Sequence, residues 1–134
     1  MMGETVEPAE YDGAMETSAI GIEPGDGHEP TVVVLKGEHD VHSAPAIGER
    51  VREVIGEGRA LVIDLHEATF IDSSVLAAML AARQAAREAG VGFAVCCPTD
   101  GSVTRILELT GLVARLPVLP DRAGAFELVR KPIA

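Results

Sequence analysis

Residues 60–90, ALVIDLHEATFIDSSVLAAMLAARQAAREAG, decide the fold. The apolar run Leu61 to Leu65 is short and rich in branched residues, so it reads as a core strand and not as a buried helix. A helix follows. Val75, Leu76, Met79, Leu80, Ala82, Ala86 and Ala89 recur every three or four residues, Arg83, Gln84, Arg87 and Glu88 take the opposite arc, and Gly90 supplies the stop. Between strand and helix stands Ile71-Asp72-Ser73-Ser74, two hydroxyls and a carboxylate at a helix N-terminus, where free N–H groups and the macrodipole favour negative charge. Two readings fit these residues: a plain N-cap, which the spacing alone favours, or a phosphoacceptor whose added charge the helix end tolerates.

Outward from this stretch, Ala19–Glu23 and Thr31–Lys36 read as two strands of a hairpin around the turn former Pro24-Gly25-Asp26-Gly27, with Gly37 releasing the chain from the sheet. Ser43 before Ala44-Pro45 reads as an N-cap, and Ile47, Val51, Val54 and Ile55 form the apolar stripe of a first helix. After Gly90, Val91–Cys97 returns as a strand, which makes a right-handed βαβ unit with parallel strands. Val103–Leu109 reads as a short helix capped from Thr99–Ser102, Leu116–Leu119 as an edge strand tolerant of Pro117, and Asp121 as the start of a terminal helix ending near Val129. These elements predict an α/β fold, a small mixed sheet of four to five strands covered by about four helices.

The chain of 134 residues carries a net charge of -10, and residues 1–30 hold eight acidic residues with no Lys or Arg. Such a surface repels nucleic acid and anionic lipid. Aromatics make up 3% with no Trp, which leaves little for base stacking. Residues 1–16 lack apolar periodicity and read as an acidic disordered leader, with a single domain over 17–134. No stretch resembles a signal peptide or a membrane span, and the adjacent Cys96 and Cys97 suit neither mutual pairing nor zinc, so a reduced cytoplasmic protein is expected.

Few other constellations carry chemistry. Asp40 precedes the first helix and reads as a local turn or cap beside Ser43. Asp64 and His66 end the central strand, where α/β proteins often place binding residues, although exposed polar strand ends are the plainer reading. His39-x-x-His42 is the only local histidine pair and has no Cys partner, so no metal and no cofactor are expected. A Gly-rich phosphate loop, a nucleophile elbow and a paired nucleophile and base are all absent from the sequence, so no enzymatic activity is expected.

Phe70 to Leu76, preceded by Val62-Ile63-Asp64-Leu65, resembles the signature of STAS domains, in particular the bacterial anti-sigma factor antagonists. Gly37-Glu38-His39-Asp40 and Val103–Leu112 resemble two further family segments in the same order, so the likeness spans roughly Ala19 to Val129. Val75 stands where members commonly carry Gly, and His39 where an apolar residue is usual.

The resemblance implies a STAS fold and an anti-anti-sigma factor. Unmodified, it binds an anti-sigma factor serine kinase of the GHKL type and frees a sigma factor; phosphorylated on Ser73 by that kinase, it lets go, and a phosphoserine phosphatase resets it. Asp40, Asp72, Ser73, Ser74, Val75 and Leu76 are the implied partner-binding residues. Other STAS roles are a fixed scaffold subunit of a lipid transporter or stress-sensing complex, and nucleotide binding.

Overall fold

The computed structural model describes residues 5–8, by their backbone alone, and 18–130. Its elements in order are β1 (Thr5–Pro8), β2 (Ala19–Glu23), β3 (Thr31–His39), α1 (Ala44–Gly56), β4 (Leu61–Asp64), β5 (Ala68–Ile71), α2 (Ser73–Ala89), β6 (Phe93–Cys96), α3 (Ser102–Leu109), a 3₁₀ turn (Leu112–Ala114), β7 (Val118–Leu119) and α4 (Arg122–Val129). Six strands lie in the order β1-β2-β3-β4-β6-β7, and β5 joins β3 beside this path. The pairs β1–β2 and β2–β3 are antiparallel and all others parallel, which gives the mixed sheet.

The five expected strands are present, and β1 and β5 raise the number to seven. β1 also corrects the reading of residues 1–16 as a wholly solvated leader, because Thr5–Pro8 pairs with Ala19–Ile22. The rest of that leader lies outside the described residues.

Each sheet face has its own apolar layer. Val33, Leu35, Leu61, Ile63 and Val95 pack with residues of α1, α2 and α3, whereas Val32, Val34, Val62, Ala94 and Cys96 pack with Ala125 and Val129 of α4. Covered on both sides, β4 is buried at every position, which is why its sequence runs apolar from Leu61 to Ile63 instead of alternating. Each such side chain withdrawn from water contributes about 1.5–3 kcal/mol. In α2, Val75, Leu76, Met79, Ala82 and Ala86 turn inward, as the periodicity requires, and Gly90 closes the helix.

β3 does not leave the sheet at Gly37. With φ +80° at that glycine and a register shift between Gly37 and Glu38, the strand bends away from β4 and pairs with β5 instead. The bend has a consequence for the surface. Because His39 is the register partner of Ile71, the next residues along the two parallel strands, Asp40 and Asp72, emerge side by side at the C-terminal ends of the strands.

α4 approaches β6 so closely at Gly92 that a Cβ there would lie 2.5 Å from the Val129 carbonyl oxygen and 2.8 Å from Val129 Cβ. Gly92→Ala is therefore expected to cost about 1–3 kcal/mol, the usual range for overpacking, seen as a lower urea midpoint. An unchanged midpoint would contradict this packing.

Candidate functional site

Asp72 is the N-cap of α2, in extended conformation with φ -110° and ψ -174°. Its Oδ1 accepts the Ser74 N–H at 2.9 Å, the Val75 N–H at 3.2 Å and the Ser74 hydroxyl at 2.6 Å. Partial burial acts to raise the Asp72 pKa. The Ser74 hydroxyl and the N–H groups of Val75, Ser74 and Val41 outweigh it and hold the carboxyl below the usual range. The two serines thereby part company. Ser74 is turned back on the cap, half-buried, and Ser73 is exposed as the first residue of the helix.

The facing loop is fixed from beneath by His39, fully buried at 0% exposure. Its Nε2 lies 2.9 Å from the Lys36 carbonyl oxygen and 3.2 Å from that of Ala19. Carbonyls only accept, so Nε2 carries the proton and Nδ1 accepts from the Ser43 hydroxyl at 3.0 Å. The Ser43 oxygen in turn accepts the Asp40 N–H at 3.2 Å. Ser43 stands at the N-cap position of α1 as read, but its side chain makes no capping hydrogen bond and is spent on the histidine. Asp40 keeps the turn role, with Oδ1 accepting the His42 N–H at 2.9 Å. The same oxygen faces His42 Nδ1 at 3.3 Å, so it is directed at His42 and not at Ser73. The His39-x-x-His42 pair does not converge on a metal, because both His39 nitrogens are taken.

Of the six residues picked out from the sequence, Asp40, Asp72, Ser73 and Ser74 lie at the surface of this junction, while Val75 (0% exposed) and Leu76 (8%) belong to the core. Their side chains support the turn from below. Two apolar residues that sequence reasoning passed over stand outward instead, Val41 at 60% exposure and Phe70 at 44%. Beside Val41 runs an open groove of about 570 Å³ between α1 and α2, walled by Ala44, Pro45, Gly48, Ala78 and Ala81, with Ser74 and Arg52 as polar lining. The alanines of α2 thus divide: Ala82 and Ala86 pack, whereas Ala77 and Ala81 are exposed.

On the opposite face, Asp64 is buried, not an exposed strand end. Arg122 Nε donates to its Oδ2 at 2.7 Å, and the same guanidinium is bound to Glu23.

Comparison with known proteins matches residues 22–125 to the model of the STAS domain. The chain belongs to the STAS domain family. This STAS domain is similar to the crystal structure of an anti-sigma factor antagonist from Mycobacterium paratuberculosis, at 30% identity over 86% of this chain and 94% of that one, with a TM-score of 0.70. It shares its fold with the anti-sigma factor antagonist SpoIIAA. The unphosphorylated form matches at 18% identity over 78% of this chain and 91% of that one, TM-score 0.58. The phosphorylated form, from Bacillus, matches at 18% over 78% and 95%, TM-score 0.59. No helix among the described residues is long and apolar enough to cross a membrane.

Asp72→Ala is expected to lower stability by about 1 kcal/mol through loss of the cap, measured by urea unfolding; equal midpoints would contradict the cap geometry. Burial lowers the His39 pKa in this STAS domain, against the raising effect of its carbonyl partners and Asp40. An unfolded histidine takes up its proton near pH 6.5, and the folded one only below that. The stability from keeping His39 neutral is full above about 6.5 and is lost as pH falls through the lowered folded value. The ring resonances of His39 are expected to titrate below pH 6.5, and a midpoint at or above it would contradict the buried neutral tautomer.

Proposed function

We propose that this chain is an anti-sigma factor antagonist whose binding to an anti-sigma serine kinase of the GHKL type is switched off by phosphorylation of Ser73 and restored by a phosphoserine phosphatase. The observation that carries this reading is the division of labour at the α2 N-terminus. Ser74 gives its hydroxyl to Asp72 at 2.6 Å, while the neighbouring Ser73 is exposed, so one hydroxyl is offered to a kinase. The similarity to proteins named as anti-sigma factor antagonists supports the same assignment.

The physics of the switch follows from Asp72. It already engages the N–H groups of Ser74 and Val75, so a phosphate on Ser73 meets a cap that is occupied and adds its charge beside an existing carboxylate. Two unit charges about 4 Å apart interact by roughly 1 kcal/mol in water and about 4 kcal/mol at an effective dielectric near 20. Since about 1.4 kcal/mol is a tenfold change in affinity, the added charge suffices to release a partner that meets this turn with acidic or apolar surface. The docking surface consists of Val41, Phe70, the Ser73 turn and the α1/α2 groove. Its apolar, small-residue character suits an apolar partner segment, and Arg52 offers the groove a cation.

Ser73→Ala is expected to abolish phosphorylation by the cognate kinase and to keep binding, Ser73→Glu to weaken binding about tenfold or more, and Ser74→Ala to leave phosphorylation in place. Phosphopeptide mapping with pull-down of the partner reads all three. A Ser73→Ala chain phosphorylated to wild-type stoichiometry would overturn the assignment.

A further inference from the structure

On the α4 side of the sheet, remote from any role in the switch, three side chains with metal-binding atoms converge. Asp64 and Cys96 are register partners on β4 and β6, and His66 follows β4 by two residues; their ligand atoms all lie within 4.8 Å of one another. We propose that Asp64, His66 and Cys96 form a binding site for a divalent cation of the zinc class.

The hydrogen bonding around His66 and Asp64 orients two of the three donors. His66 Nε2 lies 3.1 Å from the Pro120 carbonyl oxygen, which can accept an Nε2 proton when Nδ1 binds a metal. Its Nδ1 lies 2.8 Å from Asp64 Oδ1, also an acceptor. In the metal-free site a ring proton fills this hydrogen-bond distance, and a metal ion bound at Nδ1 replaces it. A backbone carbonyl holding the far nitrogen of a ligating histidine is the usual outer-shell arrangement of metal sites, as is a ligating carboxylate whose second oxygen is occupied. Here Arg122 Nε takes Asp64 Oδ2 at 2.7 Å, while Oδ1 accepts the His66 backbone N–H at 2.9 Å and turns its other side to Nδ1.

Donor type and charge select the metal. One thiol, one imidazole and one carboxylate are a borderline set that suits zinc and excludes magnesium and calcium, which take oxygen ligands alone. Two carboxylates, Glu23 and Asp64, against one guanidinium leave the cluster one negative charge in excess. Binding forms bonds to Oδ1, Nδ1 and Sγ and releases the Cys96 thiol proton to solvent, together with any proton on Nδ1. Burial and then the Asp64 charge push the free thiol up to about 12, so it is protonated until a metal arrives. Tetrahedral bonds of about 2.0–2.3 Å place donor atoms roughly 3.3–3.8 Å apart. The Nδ1–Oδ1 pair at 2.8 Å has to open by about 0.5 Å and the longer separations, up to 4.8 Å, to close by about 1 Å, through shifts of the His66, Asp64 and Cys96 side chains, and the fourth position opens to water on the exposed His66 side.

The test is titration of the reduced, full-length chain with Co2+ under anaerobic conditions, followed by Zn2+. One equivalent of a thiolate-to-cobalt charge-transfer band with tetrahedral visible bands, bleached by Zn2+, is expected. Cys96→Ser should abolish the charge-transfer band, while Cys97→Ser, which alters the opposite sheet face, should leave it. The exposed-site variant His66→Gln keeps the fold and should weaken cobalt binding roughly tenfold or more. Absence of the charge-transfer band in the wild type, its persistence in folded Cys96→Ser, or wild-type affinity in His66→Gln would each overturn the site.

Discussion

A single carboxylate joins the two segments that meet at the candidate switch. Asp72 caps α2 through the N–H groups of Ser74 and Val75, restrains the Ser74 hydroxyl, and is favoured in its charged form by the Val41 N–H across the junction. A negative group at this position is stabilised by the free N–H groups and by the helix dipole together. The arrangement leaves Ser73 as an exposed hydroxyl on a rigid helix terminus instead of on a loop. An acceptor held in this way can gain charge while the structure beneath it keeps its hydrogen bonds.

The support for that terminus is built in layers. Val75 and Met79 anchor α2 in the core at 0% exposure, the β3–β5 pairing sets Asp40 beside Asp72, and His39 locks the loop between β3 and α1 by bridging two carbonyls and Ser43. The Ser102 hydroxyl donates to the Thr69 carbonyl at 3.0 Å and so ties α3 to the same strand. A buried histidine is costly if charged and effective as a neutral bridge, which explains why a polar residue is tolerated at this fully buried position. The opposite face follows another logic, with the ion cluster of Glu23, Asp64 and Arg122 binding α4 to β2 and β4.

Much of this architecture was legible in the sequence. The β4-to-α2 stretch, the hairpin, the βαβ unit and the capping Asp121 all follow from periodicity and turn chemistry, because those elements bury whole faces. β5 escaped because four residues, two of them exposed, give too short a signal, although Thr69, Phe70 and Ile71 are all strand formers. Its absence hid the reason why Asp40 and Asp72 meet. Ser43 was read correctly as the N-cap residue, but the turn of its side chain to His39 was not legible, because capping propensity is local and the competing His39 partner is set by tertiary structure. Val75 and Leu76 entered the candidate surface through a linear motif, which does not distinguish the residues of a turn that face outward from those beneath it. Asp64 and Cys96 are 32 positions apart, and only the strand register makes them neighbours.

The central claim is that charge added at Ser73 leaves the Asp72 cap intact. Amide hydrogen exchange of a chain with phosphoserine installed at position 73 during translation, compared with the unmodified chain, tests it directly. The account predicts that the Ser74 and Val75 amides keep their protection and that the rest of α2 is unchanged. Loss of protection through the first turn of α2 would show that the modification melts the terminus, and would contradict a switch acting by surface charge alone.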